Sequence, residues 1–308
     1  MPTPANILKR SALALPFFIL ATICFREMDV DLLAANNQPF IKTRQLTWPG
    51  GSVPMLWDVF HIDFLDESGL LIFIAQLFGI GNIGPIFYGL CYVFCPSATE
   101  LSRLSAEAQP SSALPKGAIW PLLPLLLLFH NSHVFGMYLA SDFSTRQLWT
   151  LLWQFSPAWI GICFFAAPRI LDLNSPSKRK SYLSSPTFVL LILSLVSAVV
   201  WITLLVADPY SLSTLLIPEA GAQVGFVEHS RRALQIDELS SVGAAYLWLV
   251  YLFFDLSSAG LADLSWVVTR TALLPMVAVL AGPGAAVAVG WSLRERKLST
   301  VSQNKPQE

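Results

Sequence analysis

Long apolar runs recur from one end of this chain to the other, at about 11–25, 68–94, 119–140, 148–168, 186–207, 243–263 and 266–291. Residues 68–94 carry no charged side chain at all, which is length enough for a helix to cross a hydrocarbon layer of about 30 Å. Lipid offers nothing to satisfy an exposed backbone, so spanning segments are helices or closed barrels, and a barrel would show alternating segments of about ten residues instead. The pattern therefore predicts an all-α protein, a polytopic transmembrane helix bundle of about seven spans, forming one integral membrane domain over 1–308 with a polar tail at 292–308. The run at 11–25 lies between Lys9-Arg10 and Arg26 and is short; it is read as a span or signal anchor. Only 13% of the 308 residues are charged and 54% are hydrophobic, against about 25% charged in globular proteins.

The polar stretches between the runs do not settle orientation. Lys and Arg divide ten to nine between the two sides of a seven-span topology, so the positive-inside rule is silent. A net charge of −1 gives no electrostatic case for a nucleic-acid partner. Cys24, Cys91, Cys95 and Cys163 sit in or beside apolar runs without a C-x-x-C pair and read as small hydrophobes, not as a disulfide framework or a zinc site.

Gly79-Ile80-Gly81-Asn82-Ile83-Gly84 fits the G-x-G-x-x-G spacing of dinucleotide-binding loops, with Glu100 near the expected acidic position. That fingerprint needs a strand before the glycines, whereas here they interrupt an apolar run. The better reading is small residues allowing close helix packing beside Pro85. No cofactor is expected.

Ionisable groups inside spans are costly and mark function by default. Asp255, in "AYLWLVYLFFDLSSAGL", has no charged neighbour within two helical turns before it and is the first candidate for a proton donor. His130 and His133 are three apart and share a helix face, with Asn131 beside them. Arg270, near the start of the last run, is expected to pair with Asp263 or Asp255 or to snorkel; Asp142 and Asp172 are expected at solvated helix ends. A second cluster precedes 68–94, in "MLWDVFHIDFLDESGLL". Asp58, His61, Asp63, Asp66 and Glu67 gather on one side of a helix there, either as a solvated face or as crowded carboxylates that retain protons. Asp63, Asp66 and Glu67 are the second set of acid candidates, and His61, His130 and His133 would orient the acid or return the proton.

Several chemistries are excluded. Four histidines are too few for a membrane di-iron hydroxylase, no aspartate-rich motif exists to hold a magnesium diphosphate, and no run carries a lysine for a Schiff base. Two histidines three apart lack a third zinc ligand, so no metal is expected. What remains is metal-free proton chemistry on an apolar molecule, transport of one, or binding.

The segments "GPIFYGLCYV", "TRQLWTLLWQFSPAWIG", "AAYLWLVYLFFDLSSAG" and "GPGAAVAVGWSLRERKL" together resemble a group of fungal polytopic membrane proteins that includes the membrane-bound terpene cyclases of ascofuranone and ascochlorin type, over about 57–297. The resemblance implies a cofactor-independent cyclase of the endoplasmic reticulum membrane in fungal meroterpenoid biosynthesis. Its substrate would be a prenylated (farnesyl) aromatic epoxide, protonated and cyclised in a dry, aromatic-lined cavity. A transporter, a non-catalytic membrane protein and a sterol-isomerase-like enzyme stay open beside it.

Overall fold

The computed structural model describes residues 4–28, 79–103, 123–170, 186–207, 211–221 and 226–303. In chain order the helices are α1 (Pro4–Met28), α2 (Ile80–Phe94), α3 (Ala98–Arg103), a π-helical turn (Leu126–Asn131), α4 (Ser132–Leu139), α5 (Phe143–Gln154), α6 (Ser156–Ile170), α7 (Pro186–Ala207), α8 (Leu212–Leu216), α9 (Phe226–Ser258), α10 (Leu264–Ala281) and α11 (Pro283–Gln303). Among the described residues the structure is all-helical. Asp58, His61, Asp63, Asp66, Glu67 and Asp172 lie outside them.

Among the described residues four helical stretches, fewer than the seven expected, are long and apolar enough to cross a membrane: Asn6–Met28, Thr187–Val206, Arg231–Ser258 and Leu264–Ala281. Two more, Ile80–Phe94 and Leu123–Met137, are apolar but shorter. Three of the apolar runs also differ from the helices in their bounds. The run at 148–168 is divided at Phe155, where Pro157 imposes a new start just inside α6. The run at 266–291 is divided at Gly282, whose φ of 91° ends α10 before Pro283 opens α11. The run at 243–263 belongs to a helix that begins at Phe226, because the polar residues of its first half find partners within the bundle.

Helix α9, 33 residues long, is the central post: α1, α2, α3, α8, α10 and α11 all pack on it. One core joins Leu249, Phe253 and Leu256 of α9 with Val267 and Leu274 of α10, Leu298 of α11 and Ala98 and Leu101 of α3. A second joins Ala14 and Phe17 of α1 with Val93 of α2 and Ala244 of α9. The π-helical turn and α4, α5 and α6 pack on one another. Large apolar side chains such as Leu15, Ile19, Leu191, Leu195 and Val279 stay exposed on α1, α7 and α10, as a lipid solvent allows.

Prolines inside two of these helices explain contacts that hydropathy does not. Pro85 has no N–H to give the carbonyl four residues back, and that carbonyl, of Gly81, accepts from Ser240 Oγ at 2.7 Å. Pro275 likewise frees the carbonyl of Thr271, which accepts from Tyr246 Oη at 2.7 Å. Hydroxyls on α9 thus satisfy the backbone gaps of both neighbours.

The glycine motif sits where α2 meets α9. Gly79 (φ 89°) caps α2, and a Cβ on Gly81 would lie 2.6 Å from the Asp237 Cα. Asp237 Oδ1 accepts from the Gly81 N–H at 2.7 Å. The close helix packing expected of these small residues is what they provide, and the carboxylate occupies the place a phosphate would need at that helix N-terminus. Glu100 acts just as locally. With Ser97 it forms a capping box on α3, accepting from Ser97 N at 2.8 Å while Ser97 Oγ accepts from Glu100 N at 3.2 Å. Those bonds, the Ser97 N–H foremost, hold the Glu100 carboxyl below its ordinary range.

Candidate functional site

Asp255 faces one end of the bundle, and it is not alone. Its Oδ2 accepts from the Ala98 N–H at 2.7 Å and lies 3.4 Å from Arg10 Nη2. Arg10 in turn donates through Nη1 to the Cys95 carbonyl at 2.6 Å and lies 4.6 Å from the centre of the Tyr92 ring. Four helices meet in this knot: α1 brings the cation, α9 the carboxylate, and the α2–α3 junction brings the aromatic face and the helix N-terminus. The expectation of an isolated carboxylate is corrected, since a partner 245 residues away supplies the charge. Both of its neighbours are donors, so Asp255 receives hydrogen bonds here and gives none.

Above Asp255 on the same face of α9 stand Tyr251 and Trp248, at the helical spacings of four and three residues. Tyr251 meets Tyr92 at 5.0 Å and Phe17 at 5.7 Å between ring centres, and Trp248 meets Tyr88 at 5.3 Å and Trp291 at 5.4 Å. An aromatic column from α1, α2, α9 and α11 therefore leads to the carboxylate. Of the aromatic residues near Asp255 in sequence, Phe254 points outward and is exposed, while Phe253 is buried against Trp266.

The second arrangement lies between the π-helical turn and α4–α6. His130, on the π-helical turn, places Nδ1 3.5 Å from Ser156 Oγ, and Ser156 is fully buried. Trp153 makes a tilted ring contact with His130, centres 6.1 Å apart, and Trp149 makes one with His133 at 5.6 Å. Gly136, one turn beyond His133, leaves the room that the Trp149 indole fills. The wide π-helical turn sets His130 toward α6, and such turns recur at functional positions. The result is an imidazole–hydroxyl pair walled by two indoles, able to take a proton from a nearby hydroxyl and return it. Ser156 is invisible in the sequence: one serine before a proline carries no pattern, and only the break between α5 and α6 brings it to His130.

Asp142 is at a solvated helix end, as expected, capping α5 by accepting from the Thr145 N–H at 2.8 Å; bonding to Thr145 holds its carboxyl below the ordinary range. Asp263 caps α10 through the Trp266 N–H at 2.9 Å. Neither Asp255 nor Asp263 pairs with Arg270, so of the alternatives expected for that residue the ion pair is not the one the structure adopts. At the opposite end of the bundle an open, mainly apolar groove of about 280 Å³ runs between α1, α9 and residues 218–220, with the Glu27–Arg232 ion pair among its lining groups. None of the site residues named from sequence lines it. Among the described residues, no group of three or more His, Cys, Asp or Glu side chains is arranged to hold a metal ion.

The CtvD domain family matches residues 68–299, which takes in α2 through most of α11. The chain belongs to the CtvD domain family. Curated proteins with similar sequences include the FAD-dependent monooxygenase verC1 of Penicillium polonicum, 29% identical over 95% of this chain and 43% of that protein. The FAD-dependent monooxygenase anuJ of Penicillium roqueforti is 25% identical over 73% of this chain and 28% of its own length. The FAD-dependent monooxygenase BOA8 of Botryotinia fuckeliana is 24% identical over 94% of this chain and 39% of its own length. The chain thus spans well under half the length of these curated relatives. No solved structure matches it. The only glycine loop of dinucleotide spacing in this CtvD-family chain does not fit a flavin pyrophosphate, because Asp237 holds the Gly81 N–H and the α9 backbone closes the space.

Proposed function

We propose that this CtvD-family chain is a membrane-embedded enzyme that opens an epoxide by proton transfer and closes a ring, acting after an oxygen-inserting enzyme in fungal secondary metabolism. In its most specific form it is a terpene cyclase of the endoplasmic reticulum membrane, working on an epoxidised farnesyl chain borne by an aromatic or polyketide core. The observation that carries the reading is the make-up of the relatives. Proteins named FAD-dependent monooxygenases contain a stretch similar to this helical chain within a much longer polypeptide. A flavin monooxygenase places one oxygen atom on its substrate, and an epoxide is one product of that chemistry. A helical unit continuous with such an enzyme is well placed to consume what it makes.

The reaction needs a proton donor at the epoxide oxygen, a dry environment for the cation, and an acceptor for the proton released when an alkene or hydroxyl closes the ring. No atom is gained or lost. The proposed donors are Asp255, once it has exchanged the Arg10 ion pair for a proton, then Asp63, Asp66 and Glu67; the proposed acceptor is His130 through Ser156, with His133 and His61 in support. The aromatic column above Asp255 and the indoles beside His130 suit a cationic intermediate.

The test incubates microsomes containing the full chain with an epoxidised farnesyl-phenol and follows products by mass spectrometry, with Asp255→Asn and His130→Phe at matched expression. An isomer of unchanged mass, made by wild type and lost in either variant, supports the cyclase and that residue's role. Undiminished turnover by Asp255→Asn removes it as donor and passes the role to the 63–67 acids. A product heavier by one water identifies a hydrolase that opens the epoxide without closing a ring.

A further inference from the structure

Among the described residues, the carboxylates nearest α10 are all engaged elsewhere, and Arg270 is left without one. Asp255 is committed to Arg10, Asp263 to the Trp266 N–H and Glu295 to Arg294. Helix α7, the remaining neighbour of α10, has no charged residue. Arg270 lies six residues into the membrane-length helix Leu264–Ala281, about 9 Å from its start. It shares the inward face with Val267 three residues before and Leu274 four residues after, both fully buried. Its Nε is buried and has no hydrogen-bond partner, and so is the neighbouring Thr271 Oγ1.

A guanidinium inside a span is tolerated when something anionic meets it. Among the described residues, the same level of the bundle has no negative surplus to offer. Lys297 of α11 lies 5.4 Å from the Trp266 ring centre, so the antiparallel pairing of α10 and α11 sets Arg270 level with the basic turn that holds Arg294. Arginine presents a planar fork of donors that matches a two-oxygen anion, and a threonine hydroxyl beside it supplies one more donor.

We propose that Arg270 and Thr271 form a binding site for an oxyanion carried by an apolar ligand at the membrane interface. The ligand chemistry is an acidic oxygen, either the carboxylate or phenolate of an amphipathic small molecule or the phosphate of an anionic lipid. The site does not depend on the epoxide reading: it is tested by binding, and loss of cyclisation would leave it untouched.

The full chain is purified in phosphatidylcholine nanodiscs as wild type, Arg270→Met and Arg270→Lys. Thermal melting is measured alone, with a farnesyl-substituted dihydroxybenzoic acid, with its fully O-methylated ester, and with phosphatidylglycerol added to the bilayer. Without an anion, Arg270→Met melts higher than wild type, because an uncompensated charge has been removed. The benzoic acid or the phosphatidylglycerol raises the wild-type melting temperature, and the one that does so identifies the source. Affinity for that anion, followed by tryptophan fluorescence, falls about tenfold or more in Arg270→Met and less in Arg270→Lys, and the methylated ester has no Arg270-dependent effect. A lower melting point for Arg270→Met without ligand would show that Arg270 already has a partner within the chain and would overturn the proposal. So would anion affinities that are equal in wild type and Arg270→Met.

Discussion

Arg10 and Asp255 have side chains only 9% and 14% exposed, and each is the other's only ion-pair partner among the described residues. Removing one leaves the other buried and uncompensated, which costs about 3–5 kcal/mol, whereas replacing both with apolar residues of similar size is far milder. Thermal melting of Arg10→Met, Asp255→Leu and the double variant should therefore show two strongly destabilised singles and a double near wild type. Cys95 reports on the same knot. The Cys91 thiol donates to its sulfur, and with Arg10 and Arg294 nearby this holds the Cys95 thiol below the usual thiol range. Maleimide labelling at mildly acidic pH should run faster at Cys95 than at an ordinary cysteine and slow in Arg10→Met. Asp255 can be singled out in the sequence because a carboxylate among apolar residues stands out. Its partner cannot, because Arg10 looks like a flanking charge until α1 is laid against α9.

Among elements, the prolines of α2 and α10 and the hydroxyls of α9 are each legible in the sequence, but their pairing is not. Pro85 and Pro275 announce a missing hydrogen bond, yet nothing in the local pattern says that Ser240 and Tyr246 will supply it. Tyr246→Phe leaves the Thr271 carbonyl without its donor at a cost of about 1–3 kcal/mol. Restoring the backbone donor with Pro275→Ala should remove most of that penalty, and a double-mutant cycle on melting temperature measures it. If the two changes add, the hydroxyl is not replacing the helix bond. The run at 186–207 matches its helix closely because it is uniformly apolar, whereas the run at 266–291 hides its bend: hydropathy is blind to a positive φ at Gly282. The glycine motif is legible as packing, since its apolar flanks already contradict a strand before the loop. The polar half of α9 escapes notice because His229, Asp237 and Ser240 look like loop residues until Met28 and Gly81 meet them.

At the scale of the whole molecule, the structure sorts charges that are balanced along the sequence. The N-terminal part of α1, the α2–α3 junction, the end of α9, the start of α10 and the end of α11 share one side of the bundle. Among the described residues, that side carries Lys9, Arg10, Arg270, Arg294, Arg296 and Lys297. The opposite side, where α1 ends and α9 begins, carries Arg26, Arg231 and Arg232 among the described residues. Basic residues mark the cytoplasmic side, so the Asp255 end should face the cytosol. In sealed microsomes a membrane-impermeant maleimide should reach Cys95, while Ala220→Cys should react only after permeabilisation. The reverse pattern would invert the topology. Counting along the sequence is silent because it assigns whole loops to alternate sides of seven spans, and the breaks at Phe155 and Gly282 undo that alternation.

The bend at Gly282 has one more consequence. A Cβ there would stand 2.9 Å from Trp201 Cβ, and the Trp201 indole N–H is bonded to the Val279 carbonyl at 2.9 Å. The α10–α11 hairpin is thus stitched to α7 at its fold, like a pair of tweezers riveted at the hinge. Any parting of the two arms has to happen away from that fold, on the side where Arg270 and Lys297 stand. A molecule entering between them from the bilayer would meet cations first and the aromatic interior only afterwards.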